Sequence, residues 1–344
     1  MGMDRGVRGR VMRIRSSVTS LSWIPSEAVT GMGKAIFESG VSHYDDPPPD
    51  VIDDLHALRD ADRFRFANHL VGWIDVDDGR VVDAGYGGGC LMGVTTVAFG
   101  SKQATFAAIA FDDIQRPPEI CESSARFVQT VGGRTAVPAP RRVSRAPFMQ
   151  FEAPTVWTTL ALTLHADGRV EHELLGASTF PRHWIYNEQQ ALVSKAGLAD
   201  YKEWWLHSFG KHTPWGDQDS PALVTAVETA LERELAGRIM RGGAKAAVRK
   251  LKQGAMLTRQ GDEGTEVFLL LNGVVGVEVD GEPIADVGPG AILGERAALE
   301  GGVRTSTLRA LTKVSVAVAD ATDIDRNALA EVSTGHRRED ARRP

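Results

Sequence analysis

The sequence predicts a two-domain α+β protein, with an N-terminal domain rich in antiparallel sheet and a smaller C-terminal jelly-roll β-barrel with flanking helices. First, the chain of 344 residues is longer than a single hydrophobic core usually supports. Second, short β-rich runs separated by glycine and proline fill two regions, 79–176 and 251–320. Third, a strongly helical pattern lies between these regions and places a domain boundary near 217–220.

The first 78 residues carry mixed signals. Residues 1–11 are arginine-dotted, and we exclude them from the fold as a disordered extension. A strand-like segment starts at Met12, and residues 26–40 are compatible with a helix. After a run of three prolines, 51–70 places apolar residues on one helical face, which predicts a second helix.

Six β-rich runs then fill 79–176, and the last two form a hairpin with Asp167 and Gly168 in the turn. No helix of about 10–15 residues alternates with these strands, which disfavours a parallel sheet. We therefore predict an antiparallel α+β domain over 12–217, whose function the sequence does not identify.

The most regular helical pattern covers the connecting segment 218–242. Ser220 stands at the N-cap position, Pro221 at the first helical position, and apolar residues follow every four positions. This helix leads into a C-terminal domain over 243–331. A charged tail over 332–344 ends the chain.

The composition is that of an ordinary globular protein, with 42% hydrophobic residues and a net charge of -6. Mild negative charge gives no general attraction to nucleic acid or anionic lipid, so neither is predicted as a partner. The two cysteines, Cys90 and Cys121, lack a metal-like spacing, and no apolar run reaches the roughly 18–20 residues that span a bilayer. The sequence predicts a cytoplasmic protein without a disulfide, a metal site or a membrane segment.

One segment of the C-terminal domain carries recognisable chemistry. Residues 294–307, GERAALEGGVRTST, are called the phosphate cassette below. Gly294, Glu295 and a run of small residues are followed by Arg304. Backbone N–H groups at a short helix start can bind an anion, and a guanidinium can neutralise it through a bidentate contact. Such a segment can hold a ribose phosphate.

The region 243–331 resembles the cyclic-nucleotide-binding domain family. The resemblance rests on the phosphate cassette, on QGD at Gln260–Asp262, on the turn at Asn272 and Gly273, and on GPG at 288–290. It implies an eight-stranded barrel with flanking helices, and a cyclic nucleotide, cAMP or cGMP, as ligand.

The resemblance also implies roles for individual residues. Glu295 would bind the ribose 2′-hydroxyl, and Arg304 the cyclic phosphate. Backbone contacts would come from three small residues, namely Gly294, Ala297 and Ala298. Thr305 could contact the base or the phosphate, which leaves cAMP against cGMP open. Ser306 departs from the family pattern, in which a small apolar residue is usual at this position.

The predicted function is a cyclic-nucleotide sensor without catalysis of its own. Only 23 residues follow Ala321, and these predict one short helix and the charged tail. A DNA-binding output of the transcription-factor type is therefore not expected, and a lid over the base would come from the N-terminal domain or a homodimer partner. Two alternatives stay open. The N-terminal domain could be an enzyme gated by the nucleotide, or the protein could be a scaffold whose barrel has lost its ligand and packs against a protein partner.

Two other patterns suggest functional sites but favour structural roles. RVVDAGYGGG at 80–89 imitates the glycine loop of nucleotide- or S-adenosylmethionine-binding folds, but a strand follows it where a helix is required, which favours a hairpin or bulge. A histidine-rich stretch, 177–220, would hold the site of the enzyme alternative, as metal ligands or as an acid and base pair. Its spacings fit no metal template, so aromatic packing is favoured; the residues concerned are His183, His207, His212, Asp217 and Asp219.

Overall fold

The protein is described by a computed structural model that covers residues 11–340 except for 39–43, 100–101, 136–137, 143–145, 198, 209–212, 216–221, 223, 226 and 242–246. Within these residues there are six α-helices and two 3₁₀ helices, Ser26–Ala28 and Ala321–Asp323. The α-helices are α1 (Met32–Glu38), α2 (Leu55–Asp60), α3 (Tyr201–His207), α4 (Ala230–Arg241), α5 (Glu295–Leu299) and α6 (Arg326–Asp340).

The N-terminal domain is built from antiparallel strands, as the sequence predicts. Its strands are β1 (Met12–Trp23), β2 (Phe66–Asp77), β3 (Arg80–Met92), β4 (Val94–Phe99), β5 (Lys102–Ala107), β6 (Ile109–Ala110), β7 (Ile114–Gln115), β8 (Glu119–Ile120), β9 (Ser124–Arg134), β10 (Ala139–Arg142), β11 (Met149–Glu152), β12 (Thr155–His165), β13 (Val170–Ala177), β14 (Arg182–Tyr186) and β15 (Leu192–Ala196). One sheet has the order β15-β14-β1-β2-β3, and a second has β13-β12-β9-β6 with β7 and β8 also paired to β9. Two hairpins, β4–β5 and β10–β11, stand apart.

The two large sheets share one hydrophobic core. Leu70 and Ile74 of β2 belong to the same buried cluster as Phe127 of β9 and Leu160 of β12. At Gly72 a Cβ atom would lie 2.9 Å from the Phe127 ring, so a side chain there would collide with the facing sheet. The predicted hairpin around Asp167 is present as β12 and β13.

The predicted helix over 51–70 is wrong beyond one short turn. Asp54 caps α2 by accepting hydrogen bonds from the backbone N–H groups of His56 and Ala57, and the helix ends after six residues. From Phe66 the chain is β2, which pairs with eleven consecutive residues of β1. The predicted helix over 26–40 is also shorter: in its described part, 26–38, only a 3₁₀ turn and α1 form. Apolar spacing fits both structures, and burial between two sheets decides for the strand.

The connecting helix begins later than predicted. Ser220 and Pro221 lie outside the described residues, and Thr225 exchanges backbone hydrogen bonds with Lys195 of β15 instead of continuing a helix. The start of α4 is a capping box: the Thr229 hydroxyl accepts from the Glu232 N–H, and the Glu232 carboxylate accepts from the Thr229 N–H.

The C-terminal domain contains eight strands in two antiparallel sheets of four. They are β16 (Ala247–Leu251), β17 (Met256–Thr258), β18 (Val267–Asn272), β19 (Val275–Val279), β20 (Glu282–Val287), β21 (Ile292–Leu293), β22 (Thr307–Ala310) and β23 (Val314–Ala319). The orders are β16-β23-β18-β21 and β17-β22-β19-β20. The predicted jelly-roll barrel is not closed, because no strand pairing joins the two sheets among the described residues. Of the four edge strands, β17 and β21 have only three and two residues.

Two helices cover the outside of this domain. Leu235 of α4 and Leu329 and Val332 of α6 pack in one buried cluster with Ile292 of β21. The helix α6 continues beyond these contacts to Asp340, through most of the segment for which the sequence predicts a charged tail. Among the described residues, no helix is both long enough and apolar enough to cross a membrane.

Candidate functional site

The phosphate cassette lies between β21 and β22 and includes α5. Gly294 has a φ of 83°, a left-handed conformation, and caps the start of α5. A Cβ atom at Gly294 would lie 2.7 Å from Nη1 of Arg304 and 2.8 Å from the carbonyl oxygen of Glu266. The glycine is thus required both by its backbone conformation and by the close approach of the arginine.

Gly294→Ala is expected to lower the free energy of unfolding by about 1–3 kcal/mol, because the left-handed backbone is strained and Arg304 must move. Gly301→Ala is the matched control, since Gly301 has a φ of 103° and a Cβ atom added there would meet no other atom within 4 Å. Urea unfolding of both variants separates the two effects. Equal losses in stability would contradict the close approach of Arg304.

Arg304 is buried in the cassette, with 5% of its surface exposed. Its Nη1 donates to the carbonyl oxygen of Glu266 at 2.8 Å, and its guanidinium carbon lies 5.1 Å from the centroid of the Phe268 ring. Gly264 borders the guanidinium on another side, where a Cβ would lie 2.7 Å from Nη2. Two glycines and one backbone carbonyl therefore fix the orientation of this cation.

The charge of Arg304 is only partly neutralised by its surroundings. Burial lowers the pKa of Arg304, and the nearby Glu266 carboxylate opposes this effect. Oε2 of Glu266 is 3.6 Å from Nη2, while Oε1 of the same carboxylate is 3.2 Å from Arg249. Glu266 is thus shared between two arginines and half exposed. An arginine side chain stays protonated in proteins, so the site fits an anionic group.

The QGD motif holds the main chain of the cassette. The Gly261 N–H donates to the carbonyl oxygen of Arg304, and the Arg304 N–H donates to that of Asp262, both at 2.8 Å. The Gly264 N–H donates to the carbonyl oxygen of Gly302 at 2.7 Å. Two motifs more than 30 residues apart in the sequence are therefore one structural unit.

Glu295 is buried at the first position of α5. Its Oε1 lies 3.0 Å from Nδ1 of His336 on α6, and Nε2 of the same ring lies 3.2 Å from Oε1 of Glu232 on α4. We call these three side chains the His336 bridge. The predicted ribose-binding carboxylate is thus in contact with α6 and is linked through His336 to α4.

The remaining predicted residues lie on α5 or next to Arg304. Ala297 is buried and Ala298 half-buried on α5, and Thr305 is half-buried beside Arg304. The Ala298 N–H donates to the carbonyl oxygen of Gly294 at 3.4 Å. The resemblance assigns N–H groups at the start of α5 to the anion.

Four residues of the site were not predicted from the sequence, namely Glu232, Gly264, Glu266 and His336. Gly264 and Glu266 lie within four residues of the end of the QGD motif, so this motif could have pointed to them. The Thr-x-x-Glu pattern at 229–232 marks Glu232 as a helix cap but not as a neighbour of the cassette. No sequence signal marks His336, and both residues reach the cassette through helix packing.

The histidine-rich stretch gives no catalytic arrangement among its described residues. His183 is completely buried; its Nδ1 lies 2.6 Å from the Ser22 hydroxyl, and its Nε2 lies 2.9 Å from the carbonyl oxygen of Ser178. Burial lowers the pKa of His183 to about 4. His207 is exposed near the end of α3; three other candidates, His212, Asp217 and Asp219, lie outside the described residues. In the part of the chain that the structure describes, no group of three or more potential metal ligands is found.

Comparison with protein families identifies the class of the C-terminal domain. The model of the cyclic nucleotide-binding domain family matches residues 248–328. These residues therefore form a cyclic nucleotide-binding domain, as the phosphate cassette predicts, and no family model matches the N-terminal domain. No curated protein matches the chain significantly.

Solved structures that resemble the chain cover about a third of it. The structure of PKAR CBD2 with bound Sp-2Cl-cAMPS is 20% identical over 33% of this chain and 71% of its own, with a TM-score of 0.25. The regulatory domain of Toxoplasma gondii PKA with cAMP is 16% identical over 31% and 43%, with a TM-score of 0.27. The N-terminal domain of a transcriptional regulator from Streptomyces coelicolor A3(2) is 29% identical over 34% and 81%, with a TM-score of 0.22.

Proposed function

We propose that the protein is a sensor that binds cAMP or cGMP in the phosphate cassette and transmits binding to its N-terminal domain. The observation that carries the proposal is the buried Arg304, which two glycines and a backbone carbonyl orient and whose charge is only partly matched by Glu266. Burial of a cation is costly, and an anionic ligand offsets that cost through a charge-assisted contact.

Each predicted site residue has a role in this proposal. Arg304 would pair with the cyclic phosphate, helped by backbone N–H groups around Ala297 and Ala298. Glu295 would accept a hydrogen bond from the ribose hydroxyl. Thr305 lies next to the arginine and is the side chain to vary when cAMP and cGMP are compared.

Calorimetric titration of the full chain with cAMP and with cGMP tests the proposal. We expect at least one nucleotide to bind, and Arg304→Gln to weaken its binding roughly 10- to 100-fold, the value of a charge-assisted contact. Arg304→Lys keeps the positive charge but lacks the planar guanidinium, so its nucleotide affinity should fall between those of the wild type and Arg304→Gln.

The matched control is Arg309→Gln on β22. Arg309 forms a bidentate ion pair with Glu278 at the surface of the same domain, five residues beyond Arg304. This variant should bind like the wild type. No heat with either nucleotide at millimolar concentration, or equal affinities for Arg304→Gln and Arg309→Gln, would refute the proposal and favour the scaffold alternative.

His183 does not favour the enzyme alternative, because it is enclosed in the aromatic core and both of its ring nitrogens have hydrogen-bond partners. A cytoplasmic location, a homodimer or other protein partner, and the lack of a nucleic-acid or membrane partner stay predictions.

A further inference from the structure

The His336 bridge places one imidazole between two buried carboxylates. The side chains of Glu232 and Glu295 are only 4% and 6% exposed, whereas that of His336 is 23% exposed. Ionised carboxylates only accept hydrogen bonds, so a ring that bonds to one on each side must carry protons on both nitrogens. The bridge is therefore a cation held by two anions from different helices.

Glu232 connects this cation to the strand that leads into the cassette. Its Oε1 accepts a hydrogen bond from the Ile292 N–H at 3.0 Å, and its Oε2 accepts from the Thr229 N–H at 2.8 Å. One carboxylate thus caps α4, anchors β21 two residues before Gly294, and binds His336. A movement of His336 would therefore change contacts of α4, β21 and α6.

The start of α4 also contacts the N-terminal domain. Arg233, next to Glu232, pairs with Asp50 at 2.6 Å and lies 5.1 Å from the ring centroid of Trp184. Glu228, one turn earlier, is paired with Lys195 of β15. The segment that receives the His336 bridge is therefore the segment that joins the two domains.

Oε1 of Glu295 bonds to His336 in the structure, and the same carboxylate would accept a hydrogen bond from the ribose in the proposed function. Glu295 is buried and His336 already bonds to one of its two oxygens, so a ribose hydroxyl would meet a carboxylate that is in use. Two donors that draw on the charge of one buried carboxylate compete with each other, and each weakens the binding of the other.

We propose that His336 is a built-in competitor of the nucleotide ribose, so that nucleotide binding to Glu295 releases α6 from the cassette and from Glu232. The inference rests on the proposed function, since it concerns the same carboxylate. His336 is a positioning residue: it holds Glu295 and α6, and nucleotide binding exchanges the α6 contact for the ribose contact.

Nucleotide titration of His336→Gln tests the inference. The glutamine carries no charge and cannot donate strongly to both carboxylates. Glu295 then lacks the donor that His336 supplies, and a ribose hydroxyl can take that place. We expect this variant to bind cAMP or cGMP about 10-fold more tightly than the wild type. Thr334→Ala is the control on α6, because Thr334 is exposed and its hydroxyl only donates to the carbonyl oxygen of Ala330.

A second readout follows α6 directly. Amide hydrogen exchange in 326–340 should become faster when nucleotide is added to the wild type and should change little in His336→Gln, where α6 is already released. If His336→Gln does not fold, His336→Asn also removes the charge and has too short a side chain to reach both carboxylates, so it should likewise tighten nucleotide binding. A purely structural His336 would instead give weaker binding in the variant and no ligand effect on α6.

The outcomes separate this inference from the proposed function. Wild-type binding with an unchanged or weaker affinity in His336→Gln overturns the competition and leaves the proposed function intact. Detectable wild-type binding together with about 10-fold tighter binding by His336→Gln supports both. Failure of both proteins to bind either nucleotide overturns both.

Discussion

Replacing Lys195 by methionine is expected to lower the free energy of unfolding by about 3–5 kcal/mol, because it leaves a buried carboxylate without its cation. Lys195 of β15 forms an ion pair with Glu228, and the two side chains are 1% and 0% exposed. Its Nζ also donates to the carbonyl oxygen of Pro289 at 2.8 Å, in the GPG turn of the C-terminal domain. The pair joins the two domains at a place that water does not reach.

Two further variants make the test specific. Lys195→Met combined with Glu228→Met removes both charges and should recover most of the loss, since an apolar pair of similar size tolerates burial. Arg238→Met is the surface control: Arg238 pairs with Glu234 on α4, but both side chains are more than half exposed. It should cost less than about 1 kcal/mol. Urea unfolding that ranks the surface variant equal to Lys195→Met would contradict the buried pair.

Stability between pH 7 and 9 is expected to fall by roughly 2 kcal/mol more in the wild type than in His336→Gln, at up to about 1.4 kcal/mol per pH unit. Burial alone would lower the pKa of His336, but its hydrogen bonds with Glu232 and Glu295 outweigh burial and raise the pKa to about 10. The folded protein therefore keeps a proton that the unfolded chain releases above its ordinary pKa of 6.5.

The direction of this effect follows from the proton balance. The contribution of the His336 bridge is fully present below pH 6.5 and is lost as the pH rises towards about 10. Urea midpoints measured at several pH values for both proteins give the difference, in which ionisations common to both cancel. Parallel pH profiles would show that His336 does not hold an extra proton in the folded state.

Short motifs with their own backbone requirements could be predicted from the sequence. The turn at Asn272 and Gly273 and the hairpin turn at Asp280 and Gly281 form where glycine permits positive φ values. The start of the phosphate cassette depends on Gly294 in the same way. These turns depend only on neighbouring residues, so they can be predicted from the sequence without knowledge of the tertiary structure.

Helix boundaries were less predictable because the same apolar residues suit more than one structure. Residues 51–70 have a helical apolar face, yet Phe66 is buried in β2. The pattern from Ser220 onward predicts a long helix, yet α4 starts only at the capping box of Thr229 and Glu232. Burial against a second sheet, or a cap that satisfies free N–H groups, decided each case.

The sequence by itself, through its resemblance to a family, was enough to predict the class of the C-terminal domain. It also places Gly294, Glu295 and Arg304 in one segment, because local spacing fixes a glycine turn and two charges around it. Only the tertiary structure decided what these charges contact. Glu266 comes to Arg304 across strands, and His336 reaches Glu295 from a position 41 residues away and Glu232 from one 104 residues away. Contacts over such separations depend on how the apolar faces of α4 and α6 dock, which no local pattern encodes.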